Sequence, residues 1–282
     1  MKANILKKAK AVSTLKRVQF TKASFSTASL REFSNYLLYQ ISEFQLYFKI
    51  SIGQGKFTLA NGTVYTGDFI DGNLNGNGTL KLPNGNNYKG TFYQYIPHGE
   101  GEYVKEGDIY TGEFYAGKPH GRGSYKWTNG DVYTGDFKDG KFEGKGVLTK
   151  ANGNIYEGDY IDDKQTGKGK FRWASTNNLY TGDFQDGMFT GKGKLEFSNG
   201  NMYIGDFDDL TLNGKGKFTW HHGDFYEGEF KNDKPSGLGT YFFKANGSVL
   251  KGKFKDGKPV GMDSGKFSQR DDGSIYRKDM FL

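Results

Sequence analysis

Glycine and apolar residues alternate with polar residues from Gly53 to Phe254, and the pattern returns about every 23 residues. Each period contains Gly-x-Gly, a short alternating apolar run, in six cases an Asn-Gly pair, and then Tyr-x-Gly-x-Phe or Tyr. A period of two indicates a strand with one packed face and one solvated face. Each period is therefore predicted to be a β-hairpin, and the chain to be an array of hairpins.

Aromatic residues mark the packed face of every unit. Because glycine shares that face, it is predicted to leave space in which rings from neighbouring strands lie flat, with Tyr above Tyr and Phe above Phe. On a single-layer sheet these rings are expected to be exposed until something covers them, so they are the predicted partner-binding residues. They are Tyr65, Phe69, Tyr88, Phe92, Tyr110, Phe114, Tyr133, Phe137, Tyr156, Tyr160, Tyr180, Phe184, Tyr203, Phe207, Tyr226 and Phe230.

Two kinds of turn are expected. Pairs such as Asn61-Gly62 and Asn152-Gly153 stand between alternating runs, and they predict hairpin turns in which both residues have positive φ. Segments such as 138–141, Lys-Asp-Gly-Lys, are interpreted as loops that join one hairpin to the next.

The opposite face is charged. Asp136, Asp159 and Asp183 belong to an acidic column, and Lys145 and Lys168 to a basic one. Neighbouring columns of opposite sign predict cross-strand ion pairs, each contributing roughly 0.2–1 kcal/mol, on a solvated face that neutralises itself.

These motifs resemble the MORN repeat (membrane occupation and recognition nexus) over about residues 53–276. The resemblance implies an all-β fold, an elongated single-layer antiparallel sheet of stacked β-hairpins with an estimated length of about 85 Å. It also implies a docking or scaffold role, often with self-association, more than catalysis. The array is assigned to residues 53–262, and a degenerate capping hairpin to residues 263–282, because the last strand of an open sheet has an unpaired edge.

The first fifty residues are not repeats. Residues 1–28 form a basic, Ser/Thr-rich tail, typical of a mitochondrial targeting peptide or of a segment that binds a membrane surface or a partner. Residues 29–50 predict an amphipathic α-helix that begins with the capping box Ser29-x-x-Glu32. This helix either covers the first hairpin or anchors the chain to a partner. Its anchor residues are Leu30, Phe33, Leu37, Ile41, Phe44 and Phe48.

Charge is concentrated in the tail. The formal net charge is +7, and residues 1–31 carry +8, so the remaining residues sum to −1. The array therefore has no excess of positive charge with which to bind nucleic acid. Only the first fifty residues offer an attraction to an anionic membrane surface. The chain has no cysteine, which excludes disulfides and thiolate metal sites.

Residues that could perform catalysis do not form a recognisable set. His98 and His120 occupy equivalent repeat positions, and adjacent strand residues such as His221 and His222 point to opposite faces. Gly-x-Gly is followed by a strand, whereas nucleotide-binding loops are followed by a helix. The sequence therefore predicts no catalytic residue, no metal and no cofactor, and thus no enzyme.

Three functions remain open at this point. The leading hypothesis is a non-enzymatic scaffold that docks within a larger cytoskeletal or ciliary assembly, in the cytoplasm. The second is a phospholipid-associated peripheral membrane protein that attaches through residues 1–50. The third is an accessory subunit of a mitochondrial complex, with the tail serving import.

Overall fold

The computed structural model describes residues 52–261, 267–269 and 275–277. Every regular element in these residues is a β-strand. The predicted tail and the predicted helix with its anchor residues lie outside the described residues, so both stay predictions.

The strands follow one another at short intervals. In chain order, β1 to β21, they are Ile52–Thr58, Val64–Ile70, Asn73–Lys81, Asn87–Tyr93, Ile96–Lys105, Asp108–Tyr115, Lys118–Lys126, Val132–Lys138, Lys141–Thr149, Ile155–Ile161, Lys164–Arg172, Leu179–Gln185, Met188–Glu196, Met202–Asp208, Thr211–Thr219, Phe225–Lys231, Lys234–Phe243, Ser248–Lys255, Lys258–Val260, Phe267–Gln269 and Ile275–Arg277.

Each strand from β1 to β18 pairs antiparallel with the next in the chain, which gives one open sheet of 19 strands, β1 to β19. All pairing is thus between sequence neighbours, as the periodicity predicts. The predicted all-β, single-layer antiparallel architecture is confirmed.

The turns are arranged differently from the prediction. Asp139 and Gly140 have φ of 52° and 82°, and Lys138 pairs with Lys141, so the segment interpreted as a loop is a two-residue hairpin turn of type I′. Equivalent two-residue turns, with positive φ at both positions, join β2 to β3 and β10 to β11.

The prediction that both residues of Asn-Gly have positive φ is wrong. Of Asn152 and Gly153, only Gly153 has positive φ. Here the N–H of Lys150 donates to the carbonyl of Asn154, and the side chain of Asn152 accepts from the N–H of Asn154 at 3.0 Å. This is the longer hairpin loop in which glycine occupies the left-handed position, and the Asn side chain closes it.

A bulge interrupts the pairing within each Tyr-x-Gly-x-Phe strand. Between β8 and β9 the register shifts between Gly135 and Asp136, and Gly144 opposite has φ of 64°. The carboxylate of Asp136 accepts the N–H of Lys145 at 3.1 Å, so it satisfies a donor near the bulge. Bulges bend a strand and increase its twist, and here one recurs in nearly every hairpin.

Successive units are also linked at the Asn-Gly end. From Tyr88 to Tyr226, the side chain two residues before each Tyr of the motif accepts a backbone N–H from the following unit. Asp131 accepts from Ala151 at 2.8 Å, and Asn154 accepts from Ala174 at 3.0 Å. These bonds fix the spacing of one turn on the next.

The C-terminal strands β20 and β21 pair with each other in a separate two-stranded sheet. Ile275 is buried, and its N–H donates to the hydroxyl of Tyr241 at 3.2 Å. This short hairpin therefore contacts the aromatic layer near the end of the array. The assignment of residues 263–282 as a cap stays a prediction.

Replacing Leu210 by Gly is expected to stabilise the protein by about 0.5–1 kcal/mol. Leu210 has φ of 65° in a type I′ turn and is 55% exposed, so glycine relieves about 1–2 kcal/mol of left-handed strain and loses little packing. Urea unfolding followed by circular dichroism measures the change. The matched control is Leu238→Gly, since Leu238 is 61% exposed in strand β17 without positive φ, and this variant should be destabilised. Equal destabilisation of both would contradict the strain argument.

Candidate functional site

The aromatic residues predicted to bind a partner are buried. None of the Tyr and Phe residues from Tyr65 to Phe230 named for that role is more than 5% exposed. The expectation that they form an open face is therefore wrong, because the rings are the hydrophobic core of the array. That these rings contact a partner directly stays a prediction. Their burial argues against it.

The tyrosine rings of the core pack on pairs of glycines, as predicted from the glycines that share the aromatic face of each strand. A Cβ atom on Gly146 would lie 2.5 Å from Cε2 and 2.6 Å from Cζ of Tyr133, so the tyrosine ring lies directly on this glycine of the neighbouring strand. A Cβ on Gly135 would instead meet the carbonyl oxygen of Lys145 at 2.5 Å. A side chain at Gly146 would push the tyrosine ring away from the strand, and a side chain at Gly135 would push the two strands apart.

The tyrosine hydroxyl has a fixed partner in every unit. Tyr133 donates to the carbonyl of Asp136 at 3.0 Å, and Tyr180 donates to that of Asp183 at 2.9 Å. The accepting carbonyl adjoins the bulge. The hydroxyl is thus buried but satisfied, which is the arrangement expected of a core tyrosine.

Tyr and Phe alternate along the core, in contrast to the predicted columns of like residues. Tyr88 contacts Phe92 of its own strand and Phe114 of the next unit, both at 5.0 Å between ring centroids and nearly perpendicular. The same edge-to-face contacts recur at both ends, from Tyr65 with Phe69 to Tyr226 with Phe254. Each contact of this type contributes about 0.5–1.5 kcal/mol beyond burial.

A further core position, which was not predicted from the sequence, lies two residues before Gly-x-Gly. Phe142 stacks on Tyr133 at 3.7 Å, and Phe189 stacks on Tyr180 at 3.9 Å. The equivalent residue is Leu74 in one unit and Pro119 in another, and both are buried. Because residue types differ so widely at this position, only its spacing from Gly-x-Gly could have identified it.

A long groove occupies the face opposite the rings. It extends from Thr111 to Lys251 and encloses about 1930 Å³. The floor is the backbone of the paired glycines, since their missing side chains would point toward the rings. Small and apolar residues such as Thr181, Val147 and Ile204 line it, together with charged residues.

Ion pairs order one wall of this groove, as predicted from the columns of opposite charge. Lys145 contacts Asp159, and Lys168 contacts Asp183 across neighbouring strands. The hydrogen bond from Lys168 lowers the pKa of the Asp183 carboxyl, although burial opposes the shift. The second carboxylate oxygen of Asp183 accepts the N–H of Lys192 at 3.0 Å. These acidic residues therefore accept a backbone N–H near the bulge and also neutralise the lysines of this face.

The described residues contain no group of three or more His, Cys, Asp or Glu side chains that could hold a metal ion. Among the same parts of the chain, there is no helix long and apolar enough to cross a membrane.

Comparison with protein families decides what this architecture is. The MORN repeat family model matches residues 53–64, 65–87, 88–106, 110–132, 133–155, 156–177, 180–202, 203–225 and 226–248. The chain belongs to the MORN repeat family. Eight of the nine MORN repeats each contain a hairpin of the large sheet, and the first, residues 53–64, contains β1.

Two further comparisons add detail. No curated protein matches the chain. Among solved structures, this MORN protein is similar to the wild-type TCP10 domain of Danio rerio CPAP in complex with a peptide of Danio rerio STIL, at 11% identity. That match covers 72% of this chain and 100% of the other, with a TM-score of 0.39.

MORN repeats are in general non-enzymatic modules that bind proteins or membranes. The groove on the face opposite the rings is one surface of the described residues that is accessible for such binding.

The tyrosine core should unfold at high pH. Burial raises the pKa of Tyr160 and of Tyr226 from the ordinary value of 10.0 to about 12. Because the folded pKa exceeds the unfolded one, this contribution to stability is complete below pH 10 and is lost as pH rises through about 12. Tyrosinate absorbance and the β-sheet circular dichroism signal should therefore change together in that range. Titration of the core tyrosines near pH 10 with the sheet intact would contradict the burial.

Proposed function

We propose that this MORN protein is a non-enzymatic scaffold that binds other proteins of a larger assembly through its glycine-floored groove. The observation that carries the proposal is the continuity of the groove across the units from Thr111 to Lys251. Because the floor of the groove is backbone without side chains, a polypeptide segment has room to lie there along the array. The family's general association with protein binding supports the same function.

The chemistry of the groove favours a protein over a polyanion. Its ion pairs neutralise one wall, and the array has no excess of positive charge, since residues 32–282 sum to −1. Small hydroxyl residues and exposed aliphatic ones such as Val147 and Ile204 provide mixed polar and apolar contacts. Protein interfaces have this mixture, whereas nucleic-acid sites need an excess of positive charge.

We further propose, from the family resemblance, that the assembly is cytoskeletal or ciliary and that the protein works in the cytoplasm. A mitochondrial complex is the alternative, and it rests on the composition of residues 1–28.

Peripheral membrane association is the second candidate function. Lys170, Lys194 and Lys217 follow one another along one wall of the groove. Two of them have acidic neighbours, since Lys194 pairs with Glu196 at 2.8 Å and Lys217 with Glu227 at 3.8 Å. That pairing reduces the attraction of this wall for anionic lipid.

A variant with Val147→Glu and Ile204→Glu should lose its protein partners while keeping its fold. Both side chains are exposed in the groove, so the added charges affect docking more than packing. The tagged full chain and the variant are isolated from their own cells, and bound proteins are quantified by mass spectrometry. We expect about a tenfold loss of the main partners, equal to about 1.4 kcal/mol.

Ile161→Glu is the matched control, because Ile161 is at least as exposed as Val147 and Ile204 but does not line the groove. It should retain the partners. Equal recovery of every partner by the groove variant would contradict the proposal. Phosphatidylserine vesicles are tested in parallel, and vesicle binding that depends on Lys170, Lys194 and Lys217 without any protein partner would favour the membrane alternative.

A further inference from the structure

A ladder of four neighbouring rings, tilted by about 50° to one another, lies beside the groove in the third and fourth repeats. Tyr93 contacts His98 at 5.9 Å between ring centroids, His98 contacts Tyr115 at 5.3 Å, and Tyr115 contacts His120 at 5.6 Å. We call these four residues the ring ladder. Tyr93 and Tyr115 are 58% and 57% exposed, so unlike the core rings they are accessible to a partner.

The ring ladder has an acidic neighbour. Glu100 and Glu113 lie directly opposite each other on β5 and β6. Their positions correspond to Lys145 opposite Asp159 in a later unit, where the charges are of opposite sign. Like charges directly opposite are destabilising, so a cationic side chain placed between these two would be favoured.

Among the described residues, no cationic side chain forms an ion pair with either member of this acidic pair. Glu113 accepts the backbone N–H of Arg122 at 3.0 Å, but the side chain of Arg122 is directed to Asp136 at 3.6 Å. Lys89 lies opposite Glu102, one position further along the strand.

We propose that the ring ladder and the Glu100–Glu113 pair form a docking site for a proline-rich segment that contains arginine. The site lies outside the groove, and the inference rests on the proposed protein-binding function because it names one class of partner. The occupant is a polyproline II helix that runs across the strands.

The spacing of the two exposed tyrosines matches this conformation. Tyr93 and Tyr115 stand on strands two positions apart, which places them about 9.6 Å apart along the array. A polyproline II helix has three residues per turn and a rise of 3.1 Å per residue, so the same side returns about every 9.3 Å. A strand returns its side chains about every 6.7 Å and an α-helix about every 5.4 Å. Prolines at every third position would thus pack on successive tyrosines, the mode in which aromatic grooves recognise such segments.

The acidic pair determines the charge of the occupant. Glu113 is two residues from Tyr115, and Glu100 is two residues from His98, so the carboxylates lie about 6.7 Å along the strands from the rings. An arginine beside the proline can reach that distance and can bind carboxylates through two N–H groups at once.

The test is fluorescence anisotropy with the full chain and a fluorescein-labelled peptide of repeated Arg-Pro-Leu triplets. We expect saturable binding that weakens as salt is added, because part of it is electrostatic. The double variant Tyr93→Ala, Tyr115→Ala should bind about tenfold more weakly. Glu100→Gln with Glu113→Gln, which removes a repulsion and so keeps the fold, should weaken binding severalfold and reduce its dependence on salt.

Two controls make the result specific. Ile161→Ala, at the position equivalent to the ladder tyrosines in a later unit, should bind as the unmodified chain does. A peptide of Arg-Ala-Leu triplets has the same charge but favours an α-helix, so it should bind more weakly. Equal binding of that peptide, unchanged affinity of the tyrosine variant, or no saturable binding at all would each overturn the proposal.

The groove variant separates this inference from the proposed function. Val147→Glu with Ile204→Glu should keep its affinity for the Arg-Pro-Leu peptide if the ring ladder is a second site. If the peptide fails to bind while the groove variant still loses its partners, the inference is wrong and the scaffold proposal stands.

Discussion

The contact between a tyrosine ring and a pair of glycines is the interaction on which the rest of this structure depends. Tyr133 can lie flat on Gly146 only because no side chain occupies that space. Once there, its hydroxyl bonds the carbonyl at the bulge, and its edges contact the Phe and Tyr rings of its own and the next unit. One repeated contact therefore provides burial, hydrogen bonding and the link between units.

This constraint also explains how a single layer of strands has a core. A flat sheet would leave one face of rings open to water, at a cost in exposed apolar area. Here the bulge after Gly135 and the positive φ of Gly144 bend each hairpin, and residues such as Phe142 cover the ring from the other side. The opposite face is then left with backbone at its centre, which is the floor of the groove.

The sequence predicted the repeat, the hairpins, the antiparallel sheet and the ion pairs, because each follows from a local pattern. The prediction from the sequence failed where one sequence pattern is compatible with two local structures. Asn152-Gly153 suits either a two-residue turn or a longer loop, and the real two-residue turns include Asp162-Asp163, which carries no glycine signal. Ring burial could not be predicted either, since it depends on a bend that Gly-x-Gly does not specify. The ring ladder was missed because its residues occupy variable positions of the repeat.

A double-mutant cycle between Tyr133 and Gly146 tests the central claim most directly. Gly146→Ala should cost about 1–3 kcal/mol in the free energy of unfolding, but little in a Tyr133→Leu background, where the shorter side chain leaves room for the methyl group. Gly135→Ala is the control, because its methyl group also meets the carbonyl of Lys145 and should remain costly in both backgrounds. Urea unfolding of the four proteins gives the coupling energy. A cost of Gly146→Ala that is the same with and without the tyrosine ring would contradict the account.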